Sequence, residues 1–101
     1  MRYKIVYRKR AVEEYLSSLL WYKNRSLYAA EQFADSFDVA IKMIAENPER
    51  FRNTYKDFYE AQLKKFPFSI VYFIDKLQQS IVITSVFHHK RNPRKKFRDN
   101  Q

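Results

Sequence analysis

Glycine and cysteine are both missing from the 101 residues of this chain. Without glycine there is no dinucleotide-binding loop or P-loop, since both need backbone that tolerates positive φ and lets phosphate approach closely. A G-x-S-x-G nucleophile elbow is excluded for the same reason, and no H-E-x-x-H segment occurs. Without cysteine there are no disulfides and no thiolate metal sites, so nothing calls for an oxidising compartment. Long apolar runs are lacking too. No stretch nears the roughly 20 residues that span a bilayer, and the opening MRYKIVYRKR has no continuous signal-like apolar segment. The expected location is the cytoplasm, with no membrane partner.

Acidic residues are also scarce, 11 against 20 Lys plus Arg, which leaves a formal net charge of +9. A field of that sign concentrates polyanions and makes their binding salt-sensitive. What the chain has in plenty is aromatic area: 9 Phe and 8 Tyr, core material for one compact domain of this length. The two histidines, His88 and His89, are adjacent. On a strand they point to opposite faces and cannot jointly clasp one metal ion. No metal and no cofactor is expected.

Periodicity organises the chain. Residues 2–8 alternate as a short strand. From Lys9 to Lys23 the apolar positions Val12, Tyr15, Leu16, Leu19 and Leu20 recur at helical spacing. Asn24 to Ser26 break that helix, and Ser26 suits an N-cap for the next. Leu27, Ala30, Phe33, Phe37, Ile41 and Ile44 carry the second helix to Asn47 and Pro48, which stop it. The two helices form an antiparallel hairpin. A polar segment from Pro48 to Thr54 follows, then strands over about 58–65, 68–75 and 80–88. The third strand of the chain is apolar on both faces, which marks it as central. The order predicts an α+β domain: an N-terminal strand, a two-helix hairpin, then a three-stranded antiparallel meander with both helices on one face of the sheet. One domain spans 1–101, with a basic tail from about 90 to 101 whose Phe97 would dock back onto it.

The last strand runs into His88, His89, Lys90 and Arg91. Arg offers a fork of donors, Lys a point charge and His an exchangeable proton near neutral pH, a set suited to phosphate. Two blander readings apply. Either histidine can serve by satisfying local backbone groups, and Arg94, Lys95, Lys96 and Arg98 can simply solvate the tail. Glu31, Asp35 and Asp38 read as ordinary helix pairing, with Asp38 four residues before Lys42.

Taken together, A-x-x-F in the second helix (Ala30 to Phe33), N-P after it, the F-P-F-S-I-V-Y segment and the final strand leading into H-H-K-R-N-P resemble the RelE/ParE superfamily of toxins from type II toxin-antitoxin pairs. The resemblance spans nearly the whole chain. It implies a small toxin neutralised by a cognate antitoxin, held through an apolar groove and complementary charge. It leaves the target open. RelE-like members cut messenger RNA on the ribosome; ParE-like members inhibit DNA gyrase without established cleavage chemistry of their own.

Cleavage would require a base for the ribose 2′-hydroxyl, charge at the phosphate and an acid for the leaving oxygen. The resemblance implies His88 or His89 for proton exchange and Arg91 to brace the phosphate, making these three the catalytic candidates. Lys64, Lys65, Lys90 and Arg94 would add charge along the nucleic acid. The chain departs from the RNA-cutting pattern at Ser69, where RelE-like members resemble G-Y-R-L-V-Y with a catalytic Arg. A tyrosine that RelE-like members carry after the last strand has no match, Lys95 and Phe97 standing near its place. Ribosome-dependent cleavage leads narrowly over gyrase inhibition, and a non-toxic nucleic-acid-binding module is the third reading.

Overall fold

The computed structural model describes residues 3–91 and 96–97. Strand β1 (Lys4–Tyr7) leads into helix α1 (Lys9–Lys23) and helix α2 (Leu27–Glu46). After a 3-10 turn at Pro48–Arg50 come β2 (Arg52–Tyr55), β3 (Phe58–Gln62), β4 (Phe68–Asp75) and β5 (Ser80–His88). The five strands form one sheet in the order β1-β5-β4-β3-β2. β1 pairs parallel to β5, and every other pairing is antiparallel. The α+β architecture is the expected one, with β4 central, and the meander has one strand more than its hydrophobic pattern announces.

That extra strand, β2, is R-N-T-Y and almost wholly exposed. It has no alternation to read; it exists because β3 offers an unpaired edge, which it meets through Arg52 opposite Glu60 and Asn53 opposite Tyr59. β3 in turn ends at Gln62 rather than continuing to 65. Lys64 and Lys65 therefore lie in the β3–β4 turn, where Lys65 takes φ 70°. With no glycine to take left-handed positions, Lys56 and Gln79 adopt them as well, at φ 50° and 49°. A β-carbon there costs on the order of 1 kcal/mol or more each.

The Ser26 side chain accepts a hydrogen bond from the Ala29 N–H at 3.2 Å and caps α2 as its sequence suggests. The core lies between α2 and the sheet, around fully buried Phe33, Ile44, Ile70, Tyr72, Ile81 and Ile83. Phe33 sits in an aromatic cluster with Tyr15, Tyr22, Phe66 and Phe68, at centroid distances of 5.1–5.6 Å. The buried Tyr72 hydroxyl donates to the Pro48 carbonyl at 2.6 Å, tying the end of the hairpin to the middle of the sheet.

Helix α1 is turned by about one position from the face its apolar spacing marks. Ala11 is buried, and Tyr15, Leu19 and Tyr22 pack on the core; Val12, Leu16 and Leu20 are exposed. Two sets of contacts hold that rotation: Tyr15 and Tyr22 against the α2 rings, and Glu14 against β5. On the helix-free side of the sheet Phe97 docks as expected, its ring 4.9 Å from Tyr55 and 5.5 Å from Phe58. Lys96 next to it bonds Glu60 at 3.2 Å.

Candidate nucleic-acid and target-binding site

Glu14 organises the end of β5. One carboxylate oxygen accepts from the Ser85 hydroxyl at 2.7 Å and from the Val86 N–H at 2.9 Å. The other accepts from Arg10 Nε at 3.2 Å and from Arg91 Nη1. The Glu14 side chain is only 12% accessible. A carboxylate so enclosed needs donors on both oxygens, because an unpaired buried charge is strongly destabilising. Here four donors from three parts of the chain meet it. Arg91, expected to brace a phosphate, is thereby anchored to α1, and its guanidinium also lies 5.2 Å from the Phe87 ring.

The two histidines diverge, as their adjacency on a strand requires. His88 ends β5 on the α1 side, its ring edge-on to Phe68 at 4.8 Å. Its Nδ1 accepts the Lys90 N–H at 3.0 Å, which places the proton of the neutral ring on Nε2. Burial, followed by the neighbouring charges of Lys90, His89 and Arg91, pushes its pKa below the ordinary histidine value. That shift favours the neutral imidazole. His89 is exposed, and its Nε2 shares a 2.9 Å hydrogen bond with the Ser69 hydroxyl, itself buried in β4. Its backbone N–H donates to the Pro67 carbonyl. Ser69, the position of the missing arginine, thus works as the partner of His89.

The other cations fall elsewhere. Lys64 and Lys65 line a groove of about 370 Å³ between α2 and the β3–β4 turn, with Val39, Met43, Phe51 and Phe66. No member of the β5-end cluster lines it. Lys90 is exposed beside His88, and Arg94 lies outside the described residues. Among the described residues, no three His, Asp or Glu side chains gather to hold a metal ion, and no helix is long and apolar enough to cross a membrane.

Sequence alone assigns Glu14 no role at this site. The one available signal was its i, i+4 spacing from Arg10 on the flank of Tyr15. Its main partners are 71 to 77 residues away, beyond any local pattern.

Strand, two-helix hairpin and antiparallel meander with the last strand ending in a cationic cluster define a RelE/ParE-type toxin. The family model for the ParE toxin of the type II toxin-antitoxin system parDE matches residues 5–93, and the chain belongs to that family. Among solved structures, it is similar to a chain of the chromosomal ParDE toxin-antitoxin system from P. aeruginosa, with a TM-score of 0.68 and 12% identity over 86% of this chain and 96% of that one. It is also similar to the E. coli toxin RelE, a double arginine-to-alanine mutant in the free state, with a TM-score of 0.61 and 17% identity over 89% of this chain and 86% of that one. At those identities the likeness is one of fold. No curated protein sequence matches the chain.

Proposed function

We propose that this toxin acts by binding, as a ParE-type inhibitor of DNA gyrase in the cytoplasm, and that a cognate antitoxin neutralises it. The observation that carries the reading is the dispersal of the residues RNA cleavage would need. His88 and His89 leave β5 on opposite sides, and Arg91 is held by Glu14. Lys64 and Lys65 line a separate groove. Acid, base and phosphate donor must converge within hydrogen-bond reach of one phosphodiester. The ParE family match and the likeness to a ParDE assembly support the cognate antitoxin, and gyrase is the target that the resemblance to ParE-like members implies.

One observation favours messenger-RNA cleavage as a second reading. His88, Arg10 and Arg91 line the same cleft. There His88 would serve as base once its Nδ1 gives up the Lys90 N–H, and Arg91 as phosphate donor, with His89 excluded and Lys90 and Arg94 adding charge along the strand. The two readings separate on induction of the toxin without antitoxin, followed by labelled thymidine and labelled amino acid in parallel. We expect DNA synthesis to stop first, and the purified protein to inhibit gyrase supercoiling. If protein synthesis stops first and His88→Ala abolishes the effect, cleavage replaces inhibition.

A further inference from the structure

Two clefts meet at His88. One, of about 580 Å³, runs between the C-terminal half of α1 and the β3–β4 turn and is walled by Trp21, Tyr22, Pro67 and Phe68. The other, of about 400 Å³, is walled by Arg10, Glu14 and Arg91. Ser17, Ser18, Phe68 and His88 line both. The result is one groove with an aromatic half and a cationic half, in the size range of roughly 300–1,000 Å³ typical of small-ligand sites.

We infer that this groove binds a nucleotide, its base against Trp21 in the aromatic half and its phosphate toward Arg91 and Lys90. Trp21 is 51% exposed, which a purely structural tryptophan seldom is. It is also held in place. The Arg25 guanidinium lies 3.6 Å from its ring centroid and donates to the Trp21 carbonyl at 3.3 Å, while Tyr22 meets it edge-on at 5.1 Å. A fixed, exposed indole is a stacking platform of the kind bases occupy, worth about 1–3 kcal/mol per base.

Charge at the other end suits a phosphate despite two nearby carboxylates. Glu14 is saturated by its four donors, and Glu13 faces Lys9 at 4.0 Å. Arg91 commits Nη1 to Glu14, but its five-donor fork has further N–H groups. On the aromatic side of the seam, Lys90 adds an exposed cation beside His88. At the seam, the Nε2–H of neutral His88 supplies a donor between base and phosphate. The inference goes beyond gyrase inhibition, which requires no such groove, and it assigns no cleavage.

Trp21 is the only tryptophan in the chain, so its emission reports on the groove directly. The full-length protein is titrated with adenosine 5′-monophosphate, adenosine, inorganic phosphate and a single-stranded hexanucleotide, with the His88 ring followed by NMR. Saturable quenching by the monophosphate, with adenosine and phosphate each at least about tenfold weaker, is expected. Arg91→Gln should weaken the monophosphate about tenfold. Because that change also strips a donor from Glu14, Lys90→Gln is the second variant and should weaken it by about threefold, while Lys64→Gln should change nothing. Tighter binding of the hexanucleotide assigns the groove to a nucleic-acid strand, and equal binding to free nucleotides. No saturable quenching together with unmoved His88 resonances overturns the inference. So does monophosphate binding no better than inorganic phosphate, which leaves an ion site only.

Discussion

The two helices of the hairpin are held by opposite means. α2 buries Ala30, Phe33, Phe37, Ala40 and Ile44 and is the floor of the core; α1 buries Ala11 alone and leaves Val12, Leu16, Leu20 and Trp21 exposed. What fixes α1 is a polar knot at Glu14 together with the rings of Tyr15 and Tyr22. A helix attached along one flank keeps its other flanks for partners, and the groove at His88 lies along one of them. The comparison breaks first at its strong side. Phe33→Ala removes a fully buried ring from five-membered aromatic packing and should cost about 3–5 kcal/mol of unfolding free energy in a denaturant titration. A loss below about 1 kcal/mol would mean that α2 is not the floor described here.

Glu14→Ala comes next. It removes the shared acceptor of Arg10, Arg91, the Ser85 hydroxyl and the Val86 N–H, where the Glu14 side chain is only 12% accessible, and should cost about 2–3 kcal/mol. A double-mutant cycle with Arg91→Ala should return a coupling of about 1 kcal/mol or more, since the two groups are in direct contact. Additive losses would show that Arg91 contributes nothing to holding α1, and would free it for the phosphate role that the cleavage reading gives it.

Elements with local determinants are legible in the sequence. Lys9–Lys23 and Leu27–Glu46 match their periodicity, the Ser26 cap forms, and β4 and β5 occupy 68–75 and 80–88. Elements decided by long-range contacts are not legible there. β2 is a strand only because β3 has an open edge, and α1 turns its Ala11 flank inward because aromatic rings and Glu14 on that side outweigh three aliphatic side chains on the other. Ser69 shows a different limit. Compared with the RNA-cutting pattern it registers as a lost arginine, yet in the fold its buried hydroxyl orients His89 from the next strand.

His88 tests the β5 end of the knot through pH. Its ring is held below the ordinary histidine value, chiefly by burial and then by the charges of Lys90, His89 and Arg91. In the unfolded chain it titrates near 6.5. Between the lowered folded value and about 6.5 the unfolded state binds more protons, so stability rises with pH across that window. Stability is therefore full above the unfolded value and falls as the medium is acidified through it, because protonation of Nδ1 ejects the Lys90 N–H. His88→Gln should flatten this part of the stability–pH curve relative to the parent protein. An unchanged slope would place the titrating group elsewhere.

The smallest expected effect is the sharpest test of the asymmetry between the helices. Leu16 sits midway along the exposed row of α1 and is 55% accessible. By sequence spacing alone it belongs to the core, and Leu16→Gln would then cost more than 2 kcal/mol, like other core truncations. In the fold it loses little apolar burial, glutamine is nearly as good a helix former as leucine, and the change should fall within about 0.5 kcal/mol. The same variant answers a second question. Leu16 shares a small cleft with Tyr7, Val12, Phe37 and Asp38, on the opposite flank of α1 from His88. If Leu16→Gln leaves stability and toxicity intact but weakens antitoxin binding, the antitoxin sits on this flank and the target on another. If toxicity and antitoxin binding fall together, both partners compete for one face of the helix, and neutralisation is direct occlusion.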